Sequence, residues 1–231
     1  MADLSAFPIT AKWPVEDPTK IQLFSYPTPN GQKVSCLLEE TGLPYEAHRV
    51  TLEDANVRSP EFLSLNPNNK IPAIIDPDGP GGQPIGLFES GAILIYLAEK
   101  SGQFLGATPA DRYKVIQWVM WQMGGLGPML GQMGFFVKFA GAQIADPRPR
   151  ERFVNEAKRL LNVLEKELDG KEWIAGDYSI ADMAICPWLG TLDFYGAKPH
   201  VGWNELTNVP AYVDRFFARP AAQAAKNIPP R

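Results

Sequence analysis

Apolar and polar positions along the chain change their rhythm near residue 104: before it, short apolar runs alternate with segments of helical spacing, and after it only helical spacing remains. Ile21 to Ser25 (IQLFS) reads as a buried strand. Pro27-Thr28-Pro29-Asn30-Gly31 reads as a turn, because Pro and Gly punctuate it and Asn can start the next element. Val34, Leu37 and Leu38 then share one face of a helix over Lys33 to Thr41, which Gly42 closes in the left-handed position favoured at helix C-termini. Tyr45 to Leu52 is the next strand. Ser59 and Pro60 have the character of cap and first-turn residue for a short helix, which Asn66 to Lys70 (NPNNK) breaks. Ala73 to Ile75 and Ile85 to Phe88 form a hairpin turning at Gly79 to Gly82, and Ser90 begins a helix through Lys100. Crossover helices between the first three strands predict parallel pairing, with the hairpin adding an antiparallel edge.

The second rhythm opens at Thr108-Pro109, a cap for a helix through Trp118 and Trp121. Phe153, Ala157, Leu160, Leu161 and Leu164 stripe a helix from Pro149 to Leu168. Ser179-Ile180-Ala181-Asp182 is a capping-box start, with Asp in place of the usual Glu or Gln, for a buried helix from Met183 to Phe194. Pro210 to Ala218 is expected to be the last helix, stopped by Pro220. The expected division is an arm over 1–19, lying on the surface or partly disordered, a mixed domain over 20–104 and an all-helical domain over 108–231.

Composition narrows the function classes. The 231 residues carry a net charge of −4, without the basic stripe of a nucleic-acid binder. No apolar run approaches the roughly 20 residues that span a bilayer, and the N-terminus lacks the pattern of a signal peptide, so the expected compartment is the cytoplasm. Cys36 and Cys186 are far apart, and no CxxC or Cys/His cluster suggests a metal site or a dithiol couple. Cys36 reads as a buried structural thiol. Any thiol chemistry is therefore expected to use a thiol brought from outside.

Three segments carry candidate chemistry. Asn68-Asn69-Lys70-Ile71-Pro72-Ala73 puts a proline between a loop and a strand, where it suits a cis bond in a tight turn. In Phe88-Glu89-Ser90-Gly91-Ala92-Ile93, a hydroxyl and backbone N–H groups meet at a helix N-terminus, a ready anion site. Taken alone, the first is equally well an ordinary loop proline, and the second reads better as a simple helix cap. The stretch from Pro72 to Glu89 leaves room for one hairpin, which brings both to the same sheet edge. The turn from Pro27 to Lys33 is similar to the TxNGxK motif of nu-class bacterial glutathione transferases, and Gly124-Gly125-Leu126-Gly127-Pro128-Met129 to their second-domain signature.

The resemblance, over about residues 20 to 220, implies an α/β thioredoxin-like N-terminal domain plus an all-α C-terminal domain. It implies a homodimer that binds two glutathione molecules per site, or oxidised glutathione, and reduces small disulfides with weak conjugating activity. Glutathione would be co-substrate, with no metal. Ile71, ahead of Pro72, would pair with the main chain of the cysteinyl residue. Glu89 would face the glutamyl ammonium, and Ser90 its carboxylate. Thr28 and the backbone N–H near Asn30 would stabilise the thiolate, with Tyr26 as rival. Lys33 would add positive potential or simply be solvated, and Arg152 would reach glutathione. At the position where relatives often carry Gln or His stands Val57, with Asn56 as the candidate substitute. Met120, Met123, Met129 and Met133 would wall an electrophile pocket or fill core. Two alternatives stay open: a transferase or lyase acting on aryl electrophiles or thioethers, and a non-catalytic interaction protein of the same fold.

Overall fold

The computed structural model describes residues 4–230. The chain divides into two compact units. One holds the residues up to Gly102 together with those from Pro220 on, and the other runs from Gln103 to Arg219. The first unit is a mixed α/β domain of thioredoxin-like architecture and the second is all-helical.

The first unit is built on a four-stranded sheet, with β1 (Ile21–Ser25), β2 (Tyr45–Arg49), β3 (Ala73–Asp76) and β4 (Ile85–Phe88) in the order β2-β1-β3-β4. Helix α1 (Pro29–Thr41) carries the chain back so that β1 and β2 run parallel. Parallel pairing of β1 and β3, expected from the sequence, is not what forms: they are antiparallel. The physical reason lies in the connection. Between β2 and β3 stand only α2 (Asp54–Val57) and α3 (Pro60–Leu65). At ~1.5 Å per residue such short helices do not retrace a five-residue strand of ~17 Å, so β3 starts from the end where β2 stops. Helix α4 (Ser90–Ser101) follows the hairpin and ends at Gly102, whose φ of 69° is left-handed.

Alternation along the strands makes two cores. Phe24, Ala73 and Ile75 join Leu4, Ile9, Phe62 and Ile71 in one apolar cluster. Leu23 and Ile74, one position along, point to the opposite face. The N-terminal segment is therefore part of the core, not a surface arm. Leu4 and Ile9 are buried, Phe7, Trp13 and Val15 pack against the same cluster, and Trp13 Nε1 donates to the Arg49 carbonyl at 3.1 Å. Burying a side chain such as Ile9 is worth ~1.5–3 kcal/mol, enough to hold a segment that lacks periodicity.

The second unit is helical: α5 (Pro109–Trp121), α6 (Gly127–Val137), α7 (Arg148–Glu167), α8 (Ile180–Leu189), α9 (Thr191–Tyr195) and α10 (Asn208–Phe217). Gln122 to Leu126 form a π-helical turn between α5 and α6, where the glycines fall. Two of the α6 glycines are spoken for by their own unit. A Cβ at Gly127 would meet Gln122 Nε2 at 2.5 Å, and one at Gly134 would meet the Tyr195 ring at 2.6 Å. Met133 is fully buried and fills core, whereas Met120 is exposed. The capping box forms as expected, with Ser179 and Asp182 bonded reciprocally. Pro220 does not end the helical run but begins α11 (Pro220–Ala225), as a first-turn proline can. That helix packs on α1 in the first unit rather than among the helices of the second, with which the sequence reading grouped it.

Candidate functional site

The sheet register gathers the candidate residues at one end of the first unit. Ser25 lies opposite Arg49, Phe24 opposite Ala73, and Ala73 opposite Phe88. The exits of β1, β2 and β4 and the entry of β3 thus share an edge. Beyond these strand ends stand the Thr28 turn, Ile71-Pro72 and Glu89-Ser90. Residues far apart in sequence meet because β3 runs against both of its neighbours.

Thr28 is the N-cap of α1. Its Oγ1 accepts from the Gly31 N–H at 3.3 Å, and its carbonyl accepts the first intrahelical bond, from Gln32 N at 2.8 Å. With its oxygen serving the helix as acceptor, the Thr28 hydroxyl keeps its hydrogen for donation. Pro29 and Asn30 occupy the first two helical positions, so the Asn30 N–H belongs to the positive end of the helix dipole. Only glycine fits next: a Cβ at Gly31 would lie 2.0 Å from the Tyr26 carbonyl oxygen. Tyr26 is turned to other work, its ring 4.4 Å from the Arg49 guanidinium and against the apolar cluster.

The Ile71–Pro72 peptide is cis. The preceding turn is held from within. Asn66 Oδ1 accepts from Asn68 N at 2.9 Å, and Asn66 Nδ2 donates to the Lys70 carbonyl. Glu89, the residue before α4, has φ 72° and ψ 110°, a conformation rare for a residue with a side chain. It makes no side-chain cap bond, so the first turn of α4 has no internal carboxylate. Glu89 is exposed and Ser90 buried. The strained backbone turns the glutamate outward while the serine stays at the helix start.

Lys33 departs from the solvated alternative. It is 1% exposed, and its Nζ donates to Ser90 Oγ at 3.3 Å. Burial pulls the ammonium down to about 7, and the neighbouring Glu89 carboxylate offsets part of that fall. The sequence carries no signal for this burial, because Lys33 sits between polar Gln32 and apolar Val34 like any surface helix lysine.

Asn56 Nδ2 donates to Thr51 Oγ1 at 2.7 Å, and Val57 is buried in the apolar cluster. Arg152 lies exposed near the start of α7, in the second unit. Both cysteines are buried, and neither forms a disulfide. One feature near the strand ends had no sequence signal. Arg49 Nη1 donates to the carbonyls of Pro229 and Pro230 at 3.1 and 3.3 Å, and a cavity of about 400 Å³ opens among Tyr26, Pro27, Arg49, Lys226 and Pro229. Among the described residues, no helix is long and apolar enough to cross a membrane.

Comparison with known proteins meets this geometry. Residues 19–99 match the glutathione S-transferase N-terminal domain, and residues 136–220 match the C-terminal domain. The chain is 49% identical over 207 residues to the disulfide-bond oxidoreductase YfcG of Escherichia coli, covering 89% of this chain and 94% of that protein. A glutathione transferase from Pseudomonas putida, with one glutathione disulfide bound per subunit, superimposes with a TM-score of 0.97 at 57% identity, covering 98% of this chain and 99% of that one. Another, from Burkholderia graminis with two glutathione molecules bound per subunit, has a TM-score of 0.97 at 59% identity, covering 100% and 97%.

Proposed function

The chain belongs to the glutathione S-transferase family, and from that premise we propose that it is a glutathione-dependent disulfide-bond oxidoreductase using two glutathione molecules and no protein thiol. The observation that carries the reading is the convergence of Thr28, Ile71-Pro72 and Glu89-Ser90 at one sheet end, while both cysteines are buried.

Each part has a physical task. The backbone of Ile71, ahead of the cis-proline, pairs with the cysteinyl main chain of glutathione and fixes where its sulfur lies. The uncapped first turn of α4 and the Ser90 hydroxyl receive the γ-glutamyl carboxylate, since helix N-termini favour anions. Outward-turned Glu89 faces the glutamyl ammonium. The Thr28 hydroxyl and the N–H of Asn30 donate to sulfur, favouring the thiolate over a thiol that otherwise ionises near pKa 8.5. One glutathione thiolate attacks a disulfide sulfur, forming a mixed disulfide and expelling one substrate thiolate. A second thiolate attacks the mixed disulfide, giving oxidised glutathione and the other substrate thiolate. Atoms and charge balance without a protein cysteine.

Arg152 and Asn56 are kept as glutathione contacts on the strength of the family resemblance. Asn56 retains one amide hydrogen beyond its bond to Thr51. We read the working form as a homodimer in the cytoplasm. The deciding experiment is turnover of a model disulfide with glutathione, followed beside an aryl halide and an aryl thioether. Reduction of the disulfide as the fastest reaction, retained in a variant lacking both cysteines, is the expected result. Faster conjugation or thioether cleavage would replace it with the transferase or lyase reading.

A further inference from the structure

Lys33 is buried where a lysine ordinarily has no reason to be. Its amine lies under the start of α4, 3.3 Å from Ser90 Oγ, reaching there from α1, which packs against α4. An ammonium has only hydrogens to offer. When Lys33 is charged, the serine oxygen must accept, and the single Ser90 hydrogen is turned away from the lysine. When Lys33 is neutral, its lone pair can accept instead, and Ser90 can spend its hydrogen inward. A carboxylate arriving at the α4 terminus needs a donor, so it selects the first arrangement.

We propose that Lys33 is a positioning residue for the glutamyl end of glutathione: it sets the polarity of the Ser90 hydroxyl, and binding of the carboxylate draws a proton from solvent onto the lysine. The inference rests on the reading that this helix start receives the γ-glutamyl carboxylate. It asks more of the site, because it makes affinity depend on a residue that does not touch the ligand.

The surroundings suit the task. Of the helices packed most extensively against α1, α11 (PAAQAA) carries no ionisable side chain. Helix α4 contributes Tyr96, bonded to Asp76, together with Glu99 and Lys100 at its opposite end. On α1 itself, the buried Cys36 thiol lies within one turn of Lys33, and Glu39 and Glu40 lie in the last turn. Glu89 is the carboxylate whose charge reaches Lys33, and the depression of the lysine to about 7 leaves the free site divided between the two forms near neutrality. An added carboxylate next to Ser90 raises that value and completes the protonation.

S-methylglutathione tests this, because its blocked sulfur cannot ionise and confuse the proton count. Calorimetric titration at pH 7.5 in HEPES and in Tris, two buffers of different ionisation enthalpy, measures protons taken up on binding. The expected result for the unaltered protein is net uptake of roughly half a proton or more, with affinity falling as pH rises from 6.5 to 8.5. Lys33→Met should abolish the uptake and weaken binding at least about tenfold, the loss of a charge-assisted bond. In a Ser90→Ala background the same substitution should cost much less. Three results would overturn the inference: no uptake and a flat pH profile in the unaltered protein, unchanged uptake in Lys33→Met, or an undiminished penalty in the double variant. Should Lys33→Met fail to fold, the pH profile and proton count of the unaltered protein decide alone. Absence of any S-methylglutathione binding would instead remove the glutathione site itself, and this inference with it.

Discussion

Lys33 in the first unit and Asp182 in the second are both buried, and both sit near the start of a helix. Asp182 is enclosed by donors from its own unit: Ile174 N at 3.0 Å, Ser179 N at 2.8 Å, Ser179 Oγ at 3.2 Å and Tyr212 Oη at 2.7 Å. Burial lifts its carboxyl to about 6 against the pull of those four bonds. Its partners are backbone and core, and nothing about it faces a ligand. Lys33 instead spends its charge on a serine at the start of α4, beside the strand ends and next to an exposed glutamate. A buried charge satisfied by the interior holds a fold together. One bonded to a residue at such a helix start can respond to what arrives there.

The sharpest way to break that contrast is to remove each group. Asp182→Ala should destabilise the protein by about 3–5 kcal/mol, because it strands the donors of Ile174, Ser179 and Tyr212 in the interior. Urea denaturation reads this loss, and glutathione affinity of the folded fraction should be unchanged. Thr28→Ala attacks the other side of the comparison. Turnover with disulfides should fall by about 10²-fold, with a smaller loss of about 1 kcal/mol of stability from the missing cap. Tyr26→Phe in the same assay should be nearly silent, and the ultraviolet signal of bound thiolate, titrated against pH, separates the two.

Ser90→Ala should weaken glutathione binding by about 1–3 kcal/mol in calorimetry while leaving thermal stability close to its starting value. Lys33 adds a gentler signature in the absence of ligand. The folded state holds it near 7 and the unfolded chain near its ordinary 10.5. Between those values the unfolded state binds more protons, so stability rises with pH, by at most about 1.4 kcal/mol per unit. Lys33→Met should flatten that slope in denaturation curves measured from pH 7 to 10. At the small end, Cys36→Ser and Cys186→Ser, where they fold, should leave disulfide reduction intact. Loss of turnover in a folded cysteine variant would require a protein mixed disulfide.

Local chemistry was legible in the sequence where one or two residues decide the backbone. Thr28 caps α1, Gly42 and Gly102 close helices, and Ser179 with Asp182 forms the capping box, all because the determinants lie within a turn of one another. Ile71-Pro72 and Glu89-Ser90 could be paired from their spacing around a hairpin. What escaped were features decided at long range. The direction of β3 depends on the reach of its connection, which two short helices limit. The burial of Leu4 and Ile9 depends on a cluster drawn from β1, α2, α3 and β3 and the residues beside them. Lys33 carries no mark of burial in its neighbours, since its cover comes from elements distant in sequence, α4 among them. Pro220 reads equally well as a stop or a start, and tertiary packing on α1 settled which.

The packing of α11 on α1 has a consequence for how the chain is made. The first unit encloses the second along the sequence, its opening and closing segments lying on either side of residues 103–219. During synthesis the sheet emerges early, but the helix that completes its flank follows only after residue 219. At ~5–20 residues per second, the half-built unit waits for the whole helical insertion to appear before α1 gains its cover. A nascent chain stalled just short of Pro220 would leave that flank of α1 without the cover of α11.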